Sequence, residues 1–163
     1  AHFDQLTGLA YRPLLLDRFD ESLVQAKRHK QGLVVLFLDL DGFKAVNDNL
    51  GHKAGDVLLR EAGQRLAANV REVDTVARMG GDEFTIILNE VDKRESIDQI
   101  ASKLVNAVAT SYDHIDSSYQ VTVSMGIAVY PDDGKHRDAL ITAADNAMYR
   151  AKNSGKNCFC FHS

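Results

Sequence analysis

Proline is almost missing from this chain, cysteine is scarce, and neither a long hydrophobic run nor an excess of positive charge occurs. With two prolines, Pro13 and Pro131, there is no proline-rich spacer, and no repeat or low-complexity tract divides the sequence. The two cysteines, Cys158 and Cys160, are too few for a disulfide framework and fit the reduced interior of a cell. On a strand their i,i+2 spacing puts both on one face, where they would pack as small apolar groups rather than bind zinc. The longest apolar run, Leu33 to Leu38, falls far short of the ~20 residues that a membrane span needs. Asp4, Arg12 and Asp17 interrupt any apolar start, so no targeting signal is expected. Nineteen basic against 23 acidic side chains leave a net charge of −4, which argues against a general nucleic-acid binder. A few basic side chains around one phosphate group remain compatible with that balance. No G-x-G-x-x-G or G-x-x-x-x-G-K-[ST] motif occurs, which disfavours dinucleotide-binding and P-loop sites.

What is present is a chain of 163 residues, 45% hydrophobic and 26% charged, the size and composition of one globular domain. Such a domain can bury roughly 70% of its unfolded surface and stand without staples. Periodicity predicts a helix over Pro13 to Lys30 with an apolar stripe of Leu16, Phe19, Leu23 and Ala26. Leu33 to Leu38 reads as a central strand buried on both faces. One or two helices cover Lys44 to Val70, with Gly51 as the break. Thr75 to Met79 and Asp82 to Leu88 are strand-like, and Gly80-Gly81 would supply a two-residue hairpin turn. Ser96 with Gln99 spells a capping box for the next helix. Tyr119 to Val129 alternates as a strand, Asp138 to Asn153 as a helix, and Cys158 to Phe161 closes as a short strand. The expected class is α+β, a central, mainly antiparallel five-stranded sheet flanked by helices.

The chemistry concentrates on carboxylates. Asp39 and Asp41 follow directly on the most hydrophobic strand, and their spacing puts both on one face. Asp82 and Glu83 follow a glycine pair that lets a ligand or another backbone approach closely. If the hairpin lies beside the first strand, three or four acids converge at one end of the sheet. Ionised groups there need a counter-charge, since desolvating them alone is costly, and a hard cation such as Mg²⁺ would supply it. The plainer reading is that Asp39 and Asp41 cap the following helix while Asp82 and Glu83 form a solvated turn. Together they read better as a metal site for phosphoryl transfer.

Gly80-Gly81-Asp82-Glu83-Phe84 is the signature of the GGDEF family, the diguanylate cyclases, and background composition would produce it in such a chain about once in ten thousand tries. The resemblance runs nearly the whole length. Asp4-Gln-Leu-Thr-Gly-Leu9 resembles the family's opening motif, and Phe37-Leu-Asp-Leu-Asp-Gly-Phe-Lys44 and Asn47-Asp-Asn-Leu-Gly-His-Lys-Ala-Gly-Asp56 resemble its metal and guanine segments. Ser124-Met-Gly-Ile-Ala128, Ala144-Asp145 and Met148-Tyr-Arg-Ala-Lys152 match its C-terminal half. Tyr11 departs where the family usually carries Asn, and Lys156 where it often carries Arg.

The resemblance implies a nucleotidyl-cyclase, polymerase-palm-like sheet and one GGDEF domain over residues 1–163, excised from a larger protein. It implies condensation of two GTP into cyclic di-GMP with release of two pyrophosphates, dependent on Mg²⁺ or Mn²⁺ and carried out across a homodimer. Asp39, the Leu40 carbonyl and Asp82 would hold metal, and Glu83 would be general base or a second metal ligand. Asp41 is expected to be structural, buried or helix-capping. Asn47 and Asp56 match the guanine-binding pair, and His52 lies in the same segment. A carboxylate there can accept from both N1–H and the exocyclic amine of guanine, a donor pair that adenine lacks. Phe43 and Lys44 open a helix whose free N–H groups can bind phosphates, and Lys152 and Lys156 match the triphosphate lysines. Arg71 and Asp74 stand at the spacing of the family's product-inhibition site, although an R-x-x-D alone is usually a surface ion pair. The implied setting is the bacterial cytoplasm, in a parent protein that can be membrane-anchored. An upstream sensory module and a downstream phosphodiesterase domain are the implied neighbours, with no nucleic acid and no membrane contact by this domain. Two other classes stay open, a GTP- or cyclic di-GMP-sensing regulatory domain and a protein-interaction domain that has kept the fold.

Overall fold

The computed structural model describes residues 2–163. Helix α1, Arg12–His29, opens with Pro13 in its first turn and closes at Lys30, which adopts the left-handed conformation. It buries Leu15, Phe19 and Ala26. Leu15 therefore leads the stripe and the predicted Leu16 is only half-buried, because Leu15 lies one turn before Phe19 on the same face. Strand β1, Leu33–Asp41, outruns the predicted Leu38 end because Asp39, Leu40 and Asp41 still pair with Ser124, Val123 and Thr122, and Asp39 with Glu83 as well. The predicted long helical segment is two helices, α2 (Phe43–Leu50) and α3 (His52–Ala68), joined at Gly51 with φ 95°.

Strands β2 (Thr75–Gly80) and β3 (Glu83–Asn89) form the hairpin. Its two-residue turn is Gly81–Asp82, one residue later than predicted. A register shift between Arg78 and Gly80 adds a residue to β2, so Gly80 pairs with Glu83 instead of turning. Helix α4, Arg94–Ala109, starts before the predicted capping box, and Ser96 caps nothing. The earlier start sets the Arg94 guanidinium 3.6 Å from the centre of the Phe161 ring and lets it donate to the Ser163 carbonyl at 2.8 Å. Strand β4 (Thr122–Tyr130), helix α5 (Arg137–Asn153) and strand β5 (Cys158–Phe161) complete the chain.

The sheet order is β2-β3-β1-β4-β5. All pairs are antiparallel except β4–β5, so the expected α+β sheet is mixed and mainly antiparallel. Strand periodicity decides which way β1 faces. Val34, Leu36, Leu38 and Leu40 enter the core under α3 and α4, whereas Leu33, Val35 and Phe37 enter the core under α1 and α5. By the same alternation Asp39 and Asp41 emerge on the α5 side. Gly126 of β4 makes that side tight: a Cβ there would lie 2.0 Å from the Ala144 carbonyl oxygen. Helix α5 thus rests directly on the sheet, and its last turn reaches the end of β1.

Candidate active site at the end of the sheet

Register brings the acids together. Asp39 pairs directly across from Glu83, and the Leu40 N–H donates to the Asp82 carbonyl at 3.1 Å. The Asp39 side chain is 11% exposed and ion-paired to Lys152, yet its Oδ1 is buried without a hydrogen-bond partner. Burial first, then the neighbouring charge of Asp39, push the Asp82 carboxyl up to about 6. For Lys152, burial alone would lower the pKa, but the hydrogen bond and charge of Asp39 outweigh it and hold the ammonium protonated. An orphaned carboxylate oxygen beside a second strained acid is the electrostatic state that a divalent cation relieves.

Not all four acids converge. Asp41 accepts from Thr122 Oγ1 at 2.7 Å, Ser124 Oγ at 2.8 Å and the Asn157 N–H at 3.2 Å, so its oxygens are committed to β4 and the loop before β5. It is buried, as expected of a structural acid, and caps no helix. Glu83 is exposed at the edge. Among the described residues no three His, Cys, Asp or Glu side chains form a closed cage. The metal-fitting core is the Asp39–Asp82 pair.

Beside this pair lies a cavity of about 530 Å³ lined by Leu40, Lys44, Asp48, Lys152 and Lys156 as well as the two acids. Gly42 turns the chain into α2 with φ 84°, and a Cβ there would meet the Gln120 carbonyl oxygen at 2.4 Å. The first-turn amides of Phe43 and Lys44 have no intrahelical acceptor and so remain able to bind an anion. Lys156 sits in the left-handed conformation after Gly155, and its N–H bonds the Ala151 carbonyl at 3.2 Å. Asp48 was not singled out in the sequence; only its place one turn after Lys44 on α2 could have pointed to it.

Asn47, His52 and Asp56 occupy the α2–α3 corner and do not line that cavity. The corner is built close: a Cβ at Gly55 would lie 2.4 Å from Asn47 Oδ1, so glycine lets the Asn47 amide rest on α3. His52 and Asp56 stand exposed one turn apart on α3.

The profile described as "Diguanylate cyclase, GGDEF domain" matches residues 1–158. The chain belongs to the GGDEF family. It is 47% identical over 160 residues to the bifunctional diguanylate cyclase/cyclic di-GMP phosphodiesterase MucR of Pseudomonas aeruginosa, covering 97% of this chain and 23% of MucR. It is 38% identical over 157 residues to the diguanylate cyclase TpbB of the same species, covering 96% of this chain and 36% of TpbB. The chain thus spans about a quarter to a third of these relatives. A solved GGDEF domain of TpbB superposes with TM-score 0.94 at 36% identity, covering 99% of this chain and 95% of that one. The GGDEF domain of DgcB from Caulobacter crescentus in complex with c-di-GMP gives 0.89 at 26% identity, covering 99% and 96%. The palm-like cyclase fold expected from the motifs is therefore the fold observed. GGDEF diguanylate cyclases use divalent metal ions, and some family members are catalytically inactive. No helix among the described residues is long and apolar enough to cross a membrane.

In this GGDEF domain the Arg71–Asp74 pair lies at the opposite end of β3. Arg71 Nη2 meets Asp74 Oδ1 at 3.1 Å, with side-chain exposures of 48% and 2%. Asp74 also accepts from the Arg71 N–H at 2.9 Å and the Asn89 N–H at 3.0 Å. Arg71 further donates to the Asn89 carbonyl. Asn89, which the sequence did not flag, closes the network through a 2.6 Å bond from its side chain to the Val73 carbonyl. A cavity of about 640 Å³, lined by Arg18 and Gln25 of α1 and by Asp74 and Asn89, opens beside this network.

Proposed function

We propose that this GGDEF domain is a diguanylate cyclase that condenses two GTP into cyclic di-GMP and two pyrophosphates, with product inhibition at Arg71. The observation that carries the reading is the strained Asp39–Asp82 pair, one oxygen without a partner, beside a cavity lined by three lysines. Its hard oxygen donors fit Mg²⁺ or Mn²⁺, which Asp39, the Leu40 carbonyl and Asp82 would hold. When bound, the cation would neutralise charge on the triphosphate.

The remaining chemistry belongs to the chain. Lys152, Lys156 and the first-turn amides of Phe43 and Lys44 bind the phosphates, and Lys156 does so without the two-pronged grip of an arginine. Asn47 and Asp56 read the guanine edge, with His52 beside them. Glu83 takes the proton of the 3′-hydroxyl as that oxygen attacks the α-phosphorus of the second GTP, whose pyrophosphate leaves with the electrons of the broken P–O bond. One site holds one GTP, so two copies must face each other across a two-fold axis. The 48%-exposed Arg71 guanidinium offers donors to a phosphate, while Asp74 holds it in place. The name of MucR supports a protein in which a phosphodiesterase activity accompanies this domain; a cytoplasmic setting and an upstream sensory module belong to the same proposal.

The test is to dimerise the chain artificially, incubate it with GTP and Mg²⁺, and resolve the products by chromatography. Cyclic di-GMP is the expected product; intact GTP would defeat the proposal. A second reading, a nucleotide-sensing regulatory domain, is favoured by NbdA of Pseudomonas aeruginosa, 34% identical over 163 residues and named only a cyclic di-GMP phosphodiesterase. It expects GTP to raise thermal stability without product, whereas an interaction domain expects no shift.

A further inference from the structure

The turn that carries Asp82 has little to hold it. Gly80 and Gly81 both have positive φ, and a Cβ on either would meet nothing within 4 Å. Backbone pairing fixes the Asp82 carbonyl through the Leu40 N–H, but Gly81 has no packing around it. The side chain that donates to the Gly81 carbonyl is that of Arg78, whose Nε lies 3.0 Å away, across the bulge in β2. Its other arm is taken: Arg78 Nη1 donates to Asp4 Oδ1 at 2.9 Å. Asp4 is itself fastened, because Oδ2 accepts from the Thr7 N–H at 2.9 Å and the Thr7 hydroxyl at 2.7 Å. Burial alone would raise the Asp4 pKa, but these bonds and the Arg78 charge hold it below the usual carboxylate range. The segment also bridges the outer edge of β2, with the Arg78 N–H donating to the Ala10 carbonyl at 3.0 Å.

We infer that Arg78 is a positioning residue that ties the Gly81–Asp82 turn, and with it the Asp82 carboxylate, to the segment 2–10 through Asp4. A guanidinium presents its donors in a fixed planar fork, so clamping one arm on Asp4 sets where the other meets Gly81. Displacing residues 2–10 releases the fork, and the turn loses its side-chain restraint. The segment is thereby a control point for the site. This inference rests on the proposed function for its effect on synthesis, but not for the mobility of the turn.

The experiment measures backbone ¹⁵N order parameters for the chain, for Asp4→Asn, for Arg78→Lys and for the double variant, and steady-state kinetics for the artificially dimerised form of each. The Gly81 and Asp82 amides are expected near 0.85 in the parent and below about 0.6 in each single variant, the rigid and flexible regimes respectively. The double variant should be no looser than either single one, because both remove one linkage. Leu36 and Ile86 should not change. Synthesis should lose kcat by about tenfold (about 1.4 kcal/mol in the barrier) with KM within twofold, which general destabilisation would not produce. A parent turn already mobile, single variants with a rigid turn, or additive losses in the double variant would each overturn the inference. If no variant, nor the parent, makes cyclic di-GMP while the order parameters behave as expected, the proposed function fails and the positioning role stands.

Discussion

The two ends of one hairpin treat their acids in opposite ways. At the open end, Asp74 is almost completely buried and both of its oxygens are occupied by Arg71 and the Asn89 amide. At the turn end, Asp39 is nearly as buried, one oxygen has no partner, and Asp82 beside it is pushed up to about 6 by burial and by the Asp39 charge. A satisfied buried carboxylate stiffens a scaffold, whereas an unsatisfied one costs stability until something binds it. The same contrast separates Asp39 from Asp41, two residues along one strand: Asp41 is met by Thr122 and Ser124 of β4. Sequence spacing treats the two as equals. The neighbouring strand does not.

The contrast can be broken experimentally. The largest expected effect is at the turn end, where Glu83→Gln should lower cyclic di-GMP synthesis by about 10²–10⁴-fold, the usual contribution of a positioned acid or base. Its circular dichroism spectrum should stay that of the parent, because Glu83 is exposed; unfolding would contradict the assignment. At the open end, Asp74→Ala should instead cost about 1–3 kcal/mol of stability by stranding the Arg71 and Asn89 donors, as read from denaturant unfolding. Arg71→Ala should leave synthesis intact and weaken product inhibition roughly tenfold, the loss of one charge-assisted contact. Unchanged inhibition would reduce Arg71 to an ion-pair partner.

The smallest effect is in pH dependence. The folded-state pKa of Asp82 is raised, so the native chain binds more protons than the unfolded chain between its ordinary value of 3.8 and about 6. This group therefore penalises folding fully above that window, and the penalty fades as pH falls through it. The melting midpoint of the parent should rise relative to Asp82→Asn as pH drops from 7 to 5. Parallel midpoints would show that Asp82 is not strained.

Much of this was legible beforehand because periodicity reports burial. The alternation of Val123, Met125 and Ile127 marked β4, and Leu33 to Leu38 marked a strand covered on both faces. The misses have local causes. The turn slipped by one residue because a bulge between Arg78 and Gly80 leaves no trace in hydrophobic pattern. Helix α4 begins at Arg94, before the capping box, and Arg94 stacks there on Phe161, a partner 67 residues away in sequence. Motif resemblance named Asp39, Asp82 and Lys152, which do meet, but it could not separate an orphaned oxygen from a satisfied one. Arg78 and Asn89 went unnoticed for the same reason, and Asp4 was marked only as the start of the opening motif: each acts through a contact that folding makes.

The central claim, that the Asp39–Asp82 pair awaits a divalent cation bound with a guanine nucleotide, is tested most directly by calorimetric titration with Mg²⁺ and a non-hydrolysable GTP analogue. Binding heat should require both ligands together and disappear in Asp82→Asn, whose circular dichroism spectrum should match that of the parent. Equal affinity in the parent and Asp82→Asn, or no binding by the parent, would contradict it.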